Sequence, residues 1–136
     1  MSIIIETKGF KEFKRAIKKN PDLVQKETSQ FLVRGIALYN KSIIRQPWRM
    51  GQQGGGAPVD TGNLRDTHRR EIRKLSARIF PTSPYSGFVH GLNGRKRNVR
   101  GVQLRPWLDY ARKKNARGIN QLSNVLLTNI TKDLAK

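Results

Sequence analysis

The chain has no cysteine. That one absence removes disulfides, thiolate metal sites and cysteine nucleophiles together, and it suits a reducing compartment. Acids are nearly as scarce: nine Asp and Glu stand against 28 Lys and Arg in 136 residues, a formal net charge of +19. Long apolar runs are missing as well, and nothing approaches the roughly 18 consecutive residues that a membrane-spanning helix needs. The opening Met1-Ser2-Ile3-Ile4-Ile5-Glu6 is too short for a signal peptide and lacks a basic n-region, so the expectation is a soluble, cytoplasmically made protein. Aromatic rings are few, with five Phe, three Tyr and two Trp. A single domain over 1–136 can still bury a core at this length, but an economical one, with part of its apolar surface left for neighbouring subunits to complete.

The same scarcity empties the search for catalysis. The acids Glu6, Glu12, Asp22, Glu27, Asp60, Asp66, Glu71, Asp109 and Asp133 are scattered, and capping or pairing with arginine explains Asp60 and Asp66 without chemistry. His68 lies in an arginine-rich segment and His90 beside Gly91, neither in a His-x-x-x-His or His-Glu-x-x-His pattern. Ser83, Ser86 and Ser123 have no Gly-x-Ser-x-Gly setting. Gly54-Gly55-Gly56 is followed by no Gly-Lys-Ser/Thr and preceded by no strand, which leaves a flexible linker or surface loop. No enzyme, metal or cofactor is expected.

What is abundant is positive charge. Between His90 and Gly118 nine Lys or Arg (95, 96, 97, 100, 105, 112, 113, 114 and 117) face one acid, Asp109, a net +8. A charge run is ordinarily a solvated face. Here nothing acidic in the neighbourhood neutralises it, so self-repulsion favours an external polyanion. Nucleic acid, an acidic protein surface or anionic lipid would serve, and nucleic acid is the default because phosphate neutralisation with counterion release rewards distributed Lys and Arg. No helix-turn-helix spacing, zinc finger or aromatic RNA motif accompanies the charge, so sequence-specific readout has no support.

Apolar spacing sets the architecture. Ile3 to Ile5 reads as an edge strand. Lys8 to Lys19 places Phe10, Phe13 and Ile17 on one helical face, and Asn20-Pro21 ends that helix. Asp22 then caps a second helix, in which Val24, Phe31, Leu32, Ile36, Tyr39 and Ile43 recur every three to four residues up to about Arg45. Gly35 lies in that stripe, either to admit another backbone or as a tolerated cost of about 1 kcal/mol. Gln46-Pro47 stops the helix; Trp48, in the loop that follows, is either a hinge anchor or part of an interface. Thr67 to Leu75 and Ala77 to Pro81 are β-compatible, with Ile72 and Ile79 pointing inward and the arginines forming a basic face. Tyr85 to Gly91 is a short helix or tight turn, and 94–105 a long basic loop closed by a strand near Val99 to Leu104. From Pro106 the positions Leu108, Ala111, Asn115, Ile119, Leu122, Leu126, Ile130 and Leu134 sustain a helix that Gly118 bends or breaks. The expected fold is α+β, long N-terminal and C-terminal helices packed on a small antiparallel sheet.

Between the two halves lies Ala57-Pro58-Val59-Asp60-Thr61-Gly62-Asn63-Leu64-Arg65-Asp66. Pro58 disfavours helix at Ala57, Asp60 can accept the amide of Gly62 or Asn63, and Gly62 permits a conformation that a β-carbon penalises. Local physics makes this either a turn between two elements or the cap of a short helix through Leu64.

Three segments then line up in order: an amphipathic helix followed by 57–65, then Tyr85 to Gly91, then Arg105-Pro106-Trp107-Leu108 opening a helix. Together they resemble the neck and tail-completion proteins of tailed bacteriophages, the group of minor tail protein Z and related head–tail joining proteins. That pattern has a Pro-x-Asp-Thr-Gly-x-Leu-Arg turn, here Pro58, Asp60, Thr61, Gly62, Leu64 and Arg65. Its second segment is matched at Tyr85, Val89 and Gly91, and its Arg-Pro-Phe-Leu helix start at Arg105, Pro106, Trp107 and Leu108, with Trp where Phe is common. The glycine-rich 48–56 stretch departs from the simpler family loop. The resemblance implies a non-enzymatic virion subunit, assembled in the host cytoplasm. It would form a ring, six-fold in expectation, at the head–tail junction between the head connector or adaptor and the tail tube or tail terminator. Arg95, Lys96, Arg97, Arg100 and Arg105 would then face the DNA channel or acidic faces of neighbouring rings. The reading from charge alone is a nonspecific DNA-binding or packaging accessory protein. A third, a nuclease-like or lytic enzyme, has the missing catalytic clusters against it.

Overall fold

The computed structural model describes residues 2–6, 18–59, 63–91 and 103–134. Among them are five helices and three strands: β1 (Ile3–Glu6), α1 (Pro21–Ile44), α2 (Asn63–Asp66), β2 (His68–Ile72), β3 (Ser76–Pro81), α3 (Ser86–His90), α4 (Trp107–Lys114) and α5 (Ala116–Leu134). The class is α+β. Most of the expected helix at 8–19, the residues Asp60, Thr61 and Gly62 of the central turn, and most of the basic loop with its expected strand lie outside the described residues.

Helix α1 organises the rest. It starts two residues earlier than Asp22 capping would allow: the Asn20 carboxamide accepts the Leu23 amide at 3.3 Å, and Pro21 takes the first helical position. Proline is suited there because its missing N–H has no intrahelical acceptor to serve. Asp22 sits in the first turn, where its charge complements the helix dipole. The six expected core positions of α1 are all buried, with Thr28 and Gly35 beside them. Gly35 is a point of close approach, since a β-carbon there would lie 2.6 Å from Ile5 Cδ1 and 3.4 Å from Ile119 Cδ1.

Helices α4 and α5 run antiparallel to α1. Asn115 Nδ2 donates to Ser42 Oγ at 2.7 Å, Gly118 lies against Leu38, and Asn129 Nδ2 donates to Glu27 Oε2 at 2.9 Å, so partners descend on one helix as they climb on the other. The C-terminal helix is interrupted at Asn115, not at Gly118. Asn115 Nδ2 also bonds the Ala111 carbonyl at 2.8 Å, which draws the side chain back onto its own helix and competes with regular continuation.

The sheet has strand order β1-β3-β2, antiparallel throughout. Ile3 and Ile5 of β1, with Ala77 and Ile79 of β3, form its buried face against α1. Ile72 departs from its expected inward place. It pairs with Ala77 and so shares that face, but it ends an edge strand and remains 47 % exposed. Arg69, Arg70 and Arg78 are exposed, as a basic sheet requires, and Glu71 is held between Arg78 at 2.8 Å and Arg73 at 3.9 Å.

Candidate functional site

Two of the three motif segments, far apart in sequence, meet directly at one side chain, Trp107, and the first reaches it through His68, three residues beyond Arg65. Its indole is fully buried at the first turn of α4. The indole N–H donates to His68 Nε2 at 2.9 Å, and the His68 ring stands edge-on to it at 5.8 Å between centroids. On another side the His90 ring makes a second edge-to-face contact at 4.9 Å and 80°. Such contacts add about 0.5–1.5 kcal/mol each beyond the area they bury.

Each histidine is held by a backbone carbonyl of a motif segment. His68 Nδ1 lies 3.1 Å from the Arg65 carbonyl and therefore carries the proton, which leaves Nε2 to accept from Trp107. The central turn is tied to the indole by that chain of bonds. Its other end is secured where Ala57, wholly buried, donates its amide to the Ile43 carbonyl at 2.8 Å; Pro58 and Leu64 are buried as well. Arg65 pairs with the adjacent Asp66, at 3.1 Å on the surface. His90 Nδ1 lies 2.8 Å from the Gly91 carbonyl and is protonated there, and Gly91 takes a positive φ of 74°. The third segment closes the joint: the Arg105 amide donates to the Val89 carbonyl at 2.8 Å, and Leu104 packs against Gly91, where any β-carbon would collide with it.

Burial lowers the pKa of both histidines below the ordinary 6.5, against the opposing pull of the carbonyls that hold their Nδ1 protons. Both are therefore neutral at pH 7. His90 Nε2 is buried with no hydrogen-bond partner among the described residues. The chemistry available is that of a clamp. Among the described residues no three His, Cys, Asp or Glu side chains gather as a metal site would require.

No family model, curated protein or solved structure matches the chain.

Of the expected site residues, Pro58, Leu64, Trp107 and Leu108 are buried and Pro106 is half-buried at the start of α4. Asp60, Thr61 and Gly62 lie outside the described residues, as do Arg95, Lys96, Arg97 and Arg100. Arg105 is half-buried, with Nη1 donating to the Trp48 carbonyl at 3.2 Å, so it ties the third segment to the glycine loop. Sequence reasoning missed the two histidines as partners of Trp107. Nothing in their spacing marks them, because the contacts join residues 39 and 17 positions apart on different elements.

Trp48 resolves as an anchor: it is buried, donates Nε1–H to the Gln52 carbonyl at 2.9 Å, and packs edge-on against Tyr110 at 5.7 Å. The loop it begins is not a flexible linker. Pro47 and Gly56 bridge in parallel, the Trp48 amide reaches the Gly56 carbonyl at 3.2 Å, and the Gly56 amide reaches the Gln46 carbonyl at 2.6 Å. Its glycines are there for space. A β-carbon on Gly54 would strike the Tyr110 ring, one on Gly55 the Trp48 backbone, and one on Gly56 the carbonyls of Ser42 and Ile43.

Proposed function

We propose that the chain is a non-enzymatic structural protein of a tailed-phage virion, a neck or tail-completion subunit. It forms a homo-oligomeric ring, expected to be a hexamer, at the head–tail junction, and joins the head connector to the tail tube or tail terminator around the DNA path. One observation carries this reading. The three segments that resemble the family pattern form one bonded unit around Trp107, in which Arg65, His68, Val89, His90, Gly91 and Arg105 all take part. Segments with unrelated local roles have no reason to share a clamp.

The composition supports assembly. A net charge of +19 opposes self-association unless acidic neighbours or DNA neutralise it, and both flank a ring at a head–tail junction. Exposed apolar side chains, Phe88 at 71 % and Ile4 at 56 % among them, leave surface for subunits to cover.

Negative-stain imaging of the purified protein, with light scattering, tests the reading; rings of uniform diameter are the expected result. A strict monomer at all concentrations that is also absent from virions refutes it. Monomers that bind duplex with a steep salt dependence instead favour the nonspecific DNA-binding reading, which rests on the same charge.

A further inference from the structure

Away from the Trp107 clamp, the last turn of α1, the glycine loop and α4 enclose a cavity of about 290 Å³. Ser42, Arg45 and Gln46 form one wall, Gly54 to Gly56 the second, and Tyr110 with Lys114 the third. No acid lines it, and neither Arg45 nor Lys114 has an acidic partner among the described residues. The wall of three glycines brings backbone to the cavity without side chains, and the Gly54 and Gly55 amides donate to no acceptor among the described residues. The Tyr110 ring is held in place by Trp48 on its edge, with the Lys114 ammonium 5.9 Å from its centroid.

We propose that this cavity binds a phosphate group, in the form of a nucleic-acid phosphodiester or free phosphate. Two full cations, a hydroxyl, a carboxamide and open loop amides are the donors that a phosphate oxyanion takes. The ends of α1 and α4 contribute partial negative charge of about half a unit each. Two cations outweigh these, and the Ile43 carbonyl at the α1 end is already engaged by the Ala57 amide. The cavity lies at the lower end of the ligand-pocket range of about 300–1,000 Å³, which suits one phosphate or nucleotide unit. On α1, Arg34 and Lys41 precede Arg45 at about three and one helical turns. They are exposed and without ion pairs among the described residues, so they extend the positive surface leading to the cavity. The site does not depend on the ring proposed above; a monomer would carry it equally.

The test compares Arg45→Glu/Lys114→Glu with Arg69→Glu/Arg70→Glu, a pair of exposed sheet arginines that gives the same change in net charge. Binding of a short labelled duplex is followed by fluorescence anisotropy across a salt series. If the cavity holds phosphate, the cavity pair weakens binding about tenfold more than the sheet pair. It also flattens the log–log salt dependence by about 0.9, the contribution of the one phosphate that the cavity neutralises. Equal losses and equal slopes for the two pairs overturn the proposal, as does a wild type that binds neither duplex nor inorganic phosphate. Inorganic phosphate is then titrated against the bound duplex at constant ionic strength. Displacement beyond that by chloride assigns free phosphate to the same site, and no displacement with the slope difference intact assigns the site to the polymer backbone. Both pairs are exposed, so melting temperatures near wild type are expected. Should the reversal pair fail to fold, Arg45→Gln/Lys114→Gln is expected to give the same slope change with a smaller loss of affinity, and no change refutes the site.

Discussion

Trp107→Phe is the most informative single change, because it keeps an aromatic ring at the start of α4 and removes the indole N–H that joins the clamp. The replacement keeps an aromatic ring in the core and the edge contacts with His68 and His90. It deletes one atom group of consequence, the indole N–H that donates to His68 Nε2 at 2.9 Å. Losing the bond itself costs about 0.5–1.5 kcal/mol, and leaving a buried acceptor unsatisfied brings the total to about 1–3 kcal/mol. The smaller ring adds a cavity contribution in the same direction. For a chain of this size each kcal/mol lowers the melting temperature by about 4 °C, so a fall of about 4–12 °C is expected. Urea unfolding followed by circular dichroism gives the free energy. A double-mutant cycle with His68→Phe isolates the bond: once His68 no longer offers an acceptor, Trp107→Phe is expected to cost about 1 kcal/mol less than in wild type. A cost below about 0.5 kcal/mol, or strict additivity in the cycle, would refute the clamp as the joint of the three segments.

The remaining expectations concern the same frame. Both histidines have folded-state pKa values below the unfolded 6.5, so the unfolded chain binds the extra protons; stability is full above pH 6.5 and declines as pH falls towards the folded values, by at most about 1.4 kcal/mol per pH unit per histidine. Unfolding titrations between pH 8 and 5 check this, and a flat profile contradicts the neutral, buried assignment. Gly56→Ala is expected to destabilise by about 1–3 kcal/mol, since the carbonyls of Ser42 and Ile43 belong to helix backbone and cannot turn aside; an unchanged melting temperature would mean the loop is loose. Asn20→Ala removes the cap of α1 and is expected to cost about 0.5–2 kcal/mol in chemical denaturation, whereas Asp22→Ala, in the first turn, costs less than about 1 kcal/mol. Reversed magnitudes would restore Asp22 as the cap.

Helix α1 was the most legible element, because its apolar positions repeat over six turns and periodicity survives any tertiary detail. The hairpin of β2 and β3 was legible in outline for the same reason, though burial at an edge depends on what covers it, and Ile72 shows the limit. The glycine loop was misread. Composition treats three successive glycines as freedom, whereas here each missing β-carbon makes room for a ring, a backbone or a helix end. The clamp was half visible: Trp107 and the turn were marked as motif residues, while His68 and His90 carried no local pattern. Their role exists only after the β2–β3 hairpin and α3 have brought them to the same indole. Asn115 was visible as a helix position but not as an interruption, because its competing bonds run to Ser42 and back to Ala111.

The first strand has a consequence for how the molecule is made. Ile3 pairs with Ile79 and Ile5 with Ala77, so β1 joins the sheet across more than 70 intervening positions, whereas β2 and β3 meet through the tight connection between Ile72 and Ala77. Closing the longer loop costs about 2–3 kcal/mol more in chain entropy than closing the hairpin, by the logarithmic scaling of loop closure. On a growing polypeptide the N-terminal strand emerges first and is seated only after β3 has appeared. Until then the isoleucines of β1 stand open to other chains at the same stage. The order of synthesis thus opposes the order of pairing, and a net charge of +19 opposes the association of such copies by mutual repulsion.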